Sequence, residues 1–123
     1  MWHLLPNGRG GLEMSAPHQA VDYIIKNSPE YARAKSQRIY LEEFRKTKKA
    51  LLMKDALARG IEAANAQERE AYSHPEYQEL LQGLAAAIET EEKLKWHLEA
   101  ARMRCDIWRS EEATNRATDR ATS

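Results

Sequence analysis

The tripeptide Pro-Glu-Tyr occurs twice, at residues 29–31 and 75–77, and each copy opens a long stretch with no further proline before the next mark. Residues 29–72 contain one glycine, Gly60, and residues 75–114 contain one, Gly83. Proline is tolerated in the first turn of a helix and disrupts its interior, so each copy reads as a helix start. Ser28 before the first copy and Ser73 or His74 before the second supply polar caps, and Glu30 and Glu76 place an acid at the positive end of the helix dipole. The spacing predicts two helices over residues 29–72 and 75–114. At 1.5 Å per residue, forty residues make a helix roughly 60 Å long. A break of two or three residues leaves the second helix one option, to fold back antiparallel on the first.

Heptad counting supports a coiled-coil-like seam. In the second helix Leu84, Ala87, Leu94, Leu98, Ala101, Cys105 and Trp108 fall at alternating a and d positions, interrupted only by Glu91. The first helix offers a sparser line, Tyr40, Phe44, Leu51 and Ala58. Each helix carries a second apolar stripe: Ile39, Ala50, Met53, Leu57, Ile61 and Ala64 in one, Ala85, Trp96, Ala100, Met103 and Ile107 in the other. One hairpin covers one seam, and a bare hairpin has little interior. The expected fold is therefore all-α: an antiparallel long-helix hairpin with a short N-terminal helix over residues 15–27, completed as a helical bundle by oligomerisation, most economically as a dimer. The sparsity of strand formers and the high content of charged residues, 31%, agree with this.

The ends differ from the middle. Residues 1–14 carry three of the five glycines and close on a second methionine, Met14. They read either as a disordered leader or as the product of a start site assigned too early, since Gly10-Gly11-Leu12-Glu13 is encodable by a purine-rich tract ahead of an ATG. Residues 115–123 repeat Arg-Ala-Thr and read as a flexible tail.

Nineteen basic and nineteen acidic residues cancel, yet they are segregated. Residues 33–54 hold eight cations against Glu42 and Glu43; residues 55–92 hold nine acids against Arg59 and Arg69; residues 93–123 hold seven cations and five acids. A hairpin closed near residue 74 gathers the cations at its open end and the acids at its turn. An exposed cationic face favours a polyanion through counterion release. The candidate nucleic-acid contacts are Arg38, Arg45, Lys46 and Lys49, with Arg102, Arg104 and Arg109. The competing reading is a solvated face of i, i+4 pairs such as Glu42 with Lys46.

Other residues carry no site chemistry. The four histidines lack metal-ligand spacing, and no phosphate-binding loop, dinucleotide fingerprint or nucleophile elbow occurs, so no enzyme, metal or cofactor is expected. Cys105 reads as a small seam residue, and Trp96 and Trp108, on apolar stripes, read as core. Glu89, Glu91 and Glu92 read as a solvated face. No run of apolar residues approaches the ~20 needed to span a bilayer, and a single cysteine suits a reducing compartment; a bacterial host cytosol is expected.

The block YARAKSQRIYLEEFRKTKKALLM, with EREAYSHPEY and WHLEAARMRCDIWRSEEATNR after it, resembles small helical proteins of tailed bacteriophages encoded among replication and recombination genes. The resemblance implies a phage or prophage setting and nucleic-acid metabolism. The expected function is a non-catalytic accessory protein of phage DNA replication or recombination, touching nucleic acid or a nucleic-acid enzyme through the basic end. The alternative is a protein–protein module that inhibits or scaffolds a host or phage enzyme through the acidic turn residues Glu62, Glu68, Glu70, Glu76 and Glu79, or a virion assembly component.

Overall fold

The structure is a computed structural model and describes residues 16–122. The expected leader, residue 15 of the expected short N-terminal helix and the terminal Ser123 lie outside the described residues. Among the described residues there are three helices: α1, Ala16–Ala58; α2, Ala64–Ser73; and α3, Pro75–Thr122. Among the described residues there is no strand, so the all-α class stands.

The helix boundaries correct the expected ones in three places. Helix α1 runs through Pro29 without interruption, so the short N-terminal helix and the start of the first long one are a single element. Ser28 is not a cap; its hydroxyl donates back to the Ile24 carbonyl, and Asn27 Nδ2 donates to the Tyr23 carbonyl at 2.9 Å. Pro29 brings no N–H to the Ile25 carbonyl four residues earlier, and these side-chain bonds go to the neighbouring carbonyls of Tyr23 and Ile24.

The second correction is the end of α1. Gly60 adopts φ +99, Gly60 N–H donates to the Leu57 carbonyl at 3.0 Å, and Ile61 N–H donates to the Ala56 carbonyl at 3.0 Å. That bond pair, with glycine in the left-handed region, is a Schellman stop. Residues 61–63 then change direction, and Gln67 Nε2 fastens them by donating to the carbonyls of Ile61 at 2.9 Å and Glu62 at 3.2 Å. The expected helix over residues 29–72 is thus two helices. The third correction is at the C-terminus, where residues 115–122 continue α3. Thr114, Thr118 and Thr122 return hydroxyl bonds to the carbonyls four residues earlier, Ser110, Thr114 and Thr118.

The second Pro-Glu-Tyr does open a helix. His74, extended as a residue before proline tends to be, accepts at Nδ1 from Glu76 N–H at 3.1 Å, and Pro75 occupies the first helical position.

The chain divides into two compact units, Ala32–Glu92 on the one hand and Met1–Tyr31 with Lys93–Ser123 on the other. In the first, Leu52 of α1, Ala71 of α2 and Tyr77 of α3 form the buried cluster, with Met53 and Leu81 packed on it. Contacts between α1 and α3 run in opposite senses along the two helices: Lys48 meets Glu76, and Arg38 meets Glu91. Along the line that the α3 heptads predict, Leu84 and Ala101 are buried, Ala87, Leu94, Leu98 and Cys105 are half-buried, Glu91 at the interruption is buried, and Trp108 is exposed. The expected α1 line is mostly open. Of that line Tyr40, Leu51 and Ala58 are exposed and Phe44 is half-buried, while another row, Ala34, Arg38, Leu41, Lys48, Leu52 and Ala56, is also half-buried to buried. In the other unit Ala20 and Ala101 are fully buried, while Leu94, Leu98 and Cys105 are half-buried.

Candidate functional site

The seven candidate cations split between the units, four in Ala32–Glu92 and three in the other. Arg38 does not stand on an open ridge. It sits on the half-buried line of α1, and its Nε and Nη2 grip both oxygens of Glu91, the Nη2 bond being 3.0 Å. Its Nη1 donates to both oxygens of Glu42 at 3.1 and 3.2 Å. Glu91, 7% exposed, is therefore not part of a solvated acidic face; it is the buried half of an interhelical pair. Hydrogen bonds from Glu91 first, then from Glu42, hold the Arg38 guanidinium above its ordinary pKa. A bidentate guanidinium facing two carboxylates is saturated with acceptors and has little left for a phosphate.

Lys49 is also engaged. Its ammonium meets Glu68 at 3.1 Å and lies 4.7 Å from the centre of the Tyr72 ring. Hydrogen bonding to Tyr72, then to Glu68, raises its pKa. Lys46 makes an exposed i, i+3 pair with Glu43 at 3.4 Å, the expected Glu42 partner being taken by Arg38. Arg45 is exposed and has no ion pair among the described residues. These last three cations line one cleft of about 410 Å³ together with Tyr72 and Tyr77.

In the other unit Arg102 pairs with Glu99 at 2.8 Å, which raises its pKa, and Arg109 pairs with Asp106 at 3.1 Å. Both pairs are exposed i, i+3 contacts of the weak, salt-screened kind. Arg104 is exposed and engaged within the chain.

The acidic candidates largely answer cations of the same chain. Glu68 meets Lys49, Glu70 meets Arg59 at 3.7 Å, and Glu76 meets Lys48 at 3.1 Å. Glu62 and Glu79 are exposed. Among the described residues no group of His, Cys, Asp or Glu is arranged to hold a metal ion, and no helix is long and apolar enough to cross a membrane.

The exposed apolar surface includes the second stripe of α3, the one that a single hairpin is expected to leave for another element or copy to cover. Trp96, Met103 and Ile107 are 63%, 57% and 55% exposed, and of the two tryptophans read as core, Trp96 and Trp108, both are exposed. At 100° per residue, Trp96, Ala100, Met103 and Ile107 fall within one narrow stripe of α3. The stripe is legible in the sequence. Its exposure follows from the same reading, in which one hairpin covers one seam and leaves the second stripe open.

Comparison of this chain with protein-family models, with curated proteins and with solved structures finds no match.

Proposed function

We propose that this chain is a non-catalytic helical accessory protein that works by association, first with a second copy of itself. The antiparallel α1–α3 hairpin is one half of the assembly, and the Trp96–Met103–Ile107 stripe is where two copies meet as a dimer. The exposure of these three side chains on one helix face carries the reading. A contiguous apolar stripe on a surface helix is a protein-contact feature, and Trp and Met are enriched in such contacts.

Charge complementarity selects the second copy as occupant. Helical geometry places Glu99 and Asp106 along one flank of the stripe and Lys93 and Arg104 along the other. When two such helices pair in parallel, the acidic flank of each meets the basic flank of the other; antiparallel pairing would set acid against acid. Self-association also suits a chain whose formal charge at neutral pH is +0. Sedimentation velocity tests this: the wild type sediments as a dimer at micromolar concentration, and Trp96→Glu with Met103→Glu is a folded monomer. A wild-type monomer across the accessible concentration range would overturn it.

A second reading, contact with nucleic acid in the phage replication or recombination setting, is favoured by the cleft of Arg45, Lys46 and Lys49. It narrows the seven candidate cations to a core of three. Binding through two or three phosphate contacts predicts that affinity falls with a log–log salt slope of about −1.4 to −2.1 on a single strand and about −1.8 to −2.7 on a duplex. Fluorescence anisotropy with labelled DNA across a salt series measures it. Absence of binding at low salt, or no loss in Arg45→Glu with Lys46→Glu, removes this reading and leaves the association reading standing.

A further inference from the structure

We propose that the cleft of Arg45, Lys46, Lys49, Tyr72 and Tyr77 is a site for single-stranded nucleic acid, with Tyr72 as the platform on which a base stacks and Arg45 and Lys46 on the adjoining phosphates. The inference rests on the nucleic-acid reading above and names its ligand class.

The lining decides the class. Three cations and two phenol rings surround a space of about 410 Å³, and no carboxylate is among them. That combination matches a ligand with negative charge and an accessible π face side by side. A nucleotide in a single strand has both. In a duplex the bases are stacked on one another inside, and the cleft would find phosphate alone.

The five residues divide the work. Tyr77 is buried in the Leu52–Ala71 cluster and meets Tyr72 edge to face, with centroids 5.3 Å apart and planes at 70°. Lys49, anchored by Glu68, lies against the Tyr72 ring. Two neighbours thus hold the side chain of Tyr72, a residue that is 41% exposed. A preorganised, exposed aromatic ring is the element that single-strand binders use without sequence preference. Arg45, with no ion pair among the described residues, is positioned for phosphate, and the exposed Lys46–Glu43 contact at 3.4 Å is weak enough to exchange for one. Lys49, committed to Glu68 and Tyr72, is a positioning residue for the ring.

Anisotropy of the full chain with a labelled oligo-thymidylate, and with a duplex of the same length, tests the assignment at low salt. The single strand should bind more tightly than the duplex. Tyr72→Phe should keep single-strand affinity within about twofold, and Tyr72→Leu should lose about tenfold on the single strand with little change on the duplex. Arg45→Glu with Lys46→Glu should weaken both. Photocrosslinking of wild-type protein to a bromodeoxyuridine oligonucleotide gives a readout independent of any variant's folding, with Tyr72 the expected adduct. Equal affinity for single strand and duplex, unmoved by Tyr72→Leu and with crosslinks elsewhere, overturns the inference while the nucleic-acid reading survives. Undetectable binding of either probe overturns both.

Discussion

Arg38 and Glu91 show how one pair of residues can be read two opposite ways. In sequence, Arg38 belongs to a cationic face and Glu91 interrupts an apolar seam. In the folded chain the interruption and the cation answer each other, with Glu42 completing the set. A buried carboxylate left without its partner is costly, whereas replacing both members of such a pair by apolar side chains is often neutral or stabilising. Arg38→Leu and Glu91→Leu alone should therefore each lower Tm, by roughly 5–10 °C, and the double variant should return close to wild type. A double-mutant cycle by chemical denaturation measures the coupling. Additive losses would show that the two side chains do not depend on each other. The pair also explains why the α1 seam was not legible. Apolar counting looks for apolar residues, and this seam runs through Arg38 and Lys48, whose charged ends meet Glu91 and Glu76. The α3 seam was legible because all its other positions are apolar.

At the level of elements, a glycine and a proline exchange their expected roles. Proline is the stronger helix breaker by propensity, yet Pro29 lies inside α1, and Gly60 ends it. Pro29 costs α1 one backbone bond at an exposed site, whereas after Ala58 the chain turns so that Ala71 and Tyr77 can reach Leu52. Propensity identifies both positions as weak points and cannot say which one tertiary packing will use. The two substitutions should have opposite signs. Gly60→Ala forces a β-carbon into a positive-φ conformation and should cost about 1–2 kcal/mol; no atom lies within 4 Å of the added carbon, so the cost is backbone strain alone. Pro29→Ala restores an interior N–H at an exposed site and should stabilise, by up to about 3 kcal/mol. Urea denaturation followed by far-UV circular dichroism reads both. A stabilising Gly60→Ala would mean that α1 and α2 prefer to join into one helix.

For the molecule as a whole, the question is what holds together a chain whose buried side chains are so small. Among the described residues, Ala20, Ala56, Ala71 and Ala101 are fully buried, Leu52, Tyr77 and Leu84 nearly so, and no large side chain is completely enclosed. Among the described residues twelve large apolar side chains are exposed, Ile25, Trp96, Tyr40 and Met103 the most. Association is the available means of removing them from water. Net charge governs how readily copies approach, and with a sequence pI near 6.9 repulsion between copies is smallest close to neutrality. Dimerisation should therefore be tightest near pH 7 and weaken toward pH 9, where each copy gains negative charge, with added salt reducing that difference by screening. Because a ligand of the folded state stabilises by mass action, Tm should rise with protein concentration at pH 7 and rise less at pH 9. The same salt that preserves apolar association dissociates nucleic acid from a cationic cleft, so a salt series separates the two activities in one preparation. A Tm independent of concentration at pH 7, with the Trp96 stripe intact, would return the protein to a monomer and leave the exposed stripe for a different partner.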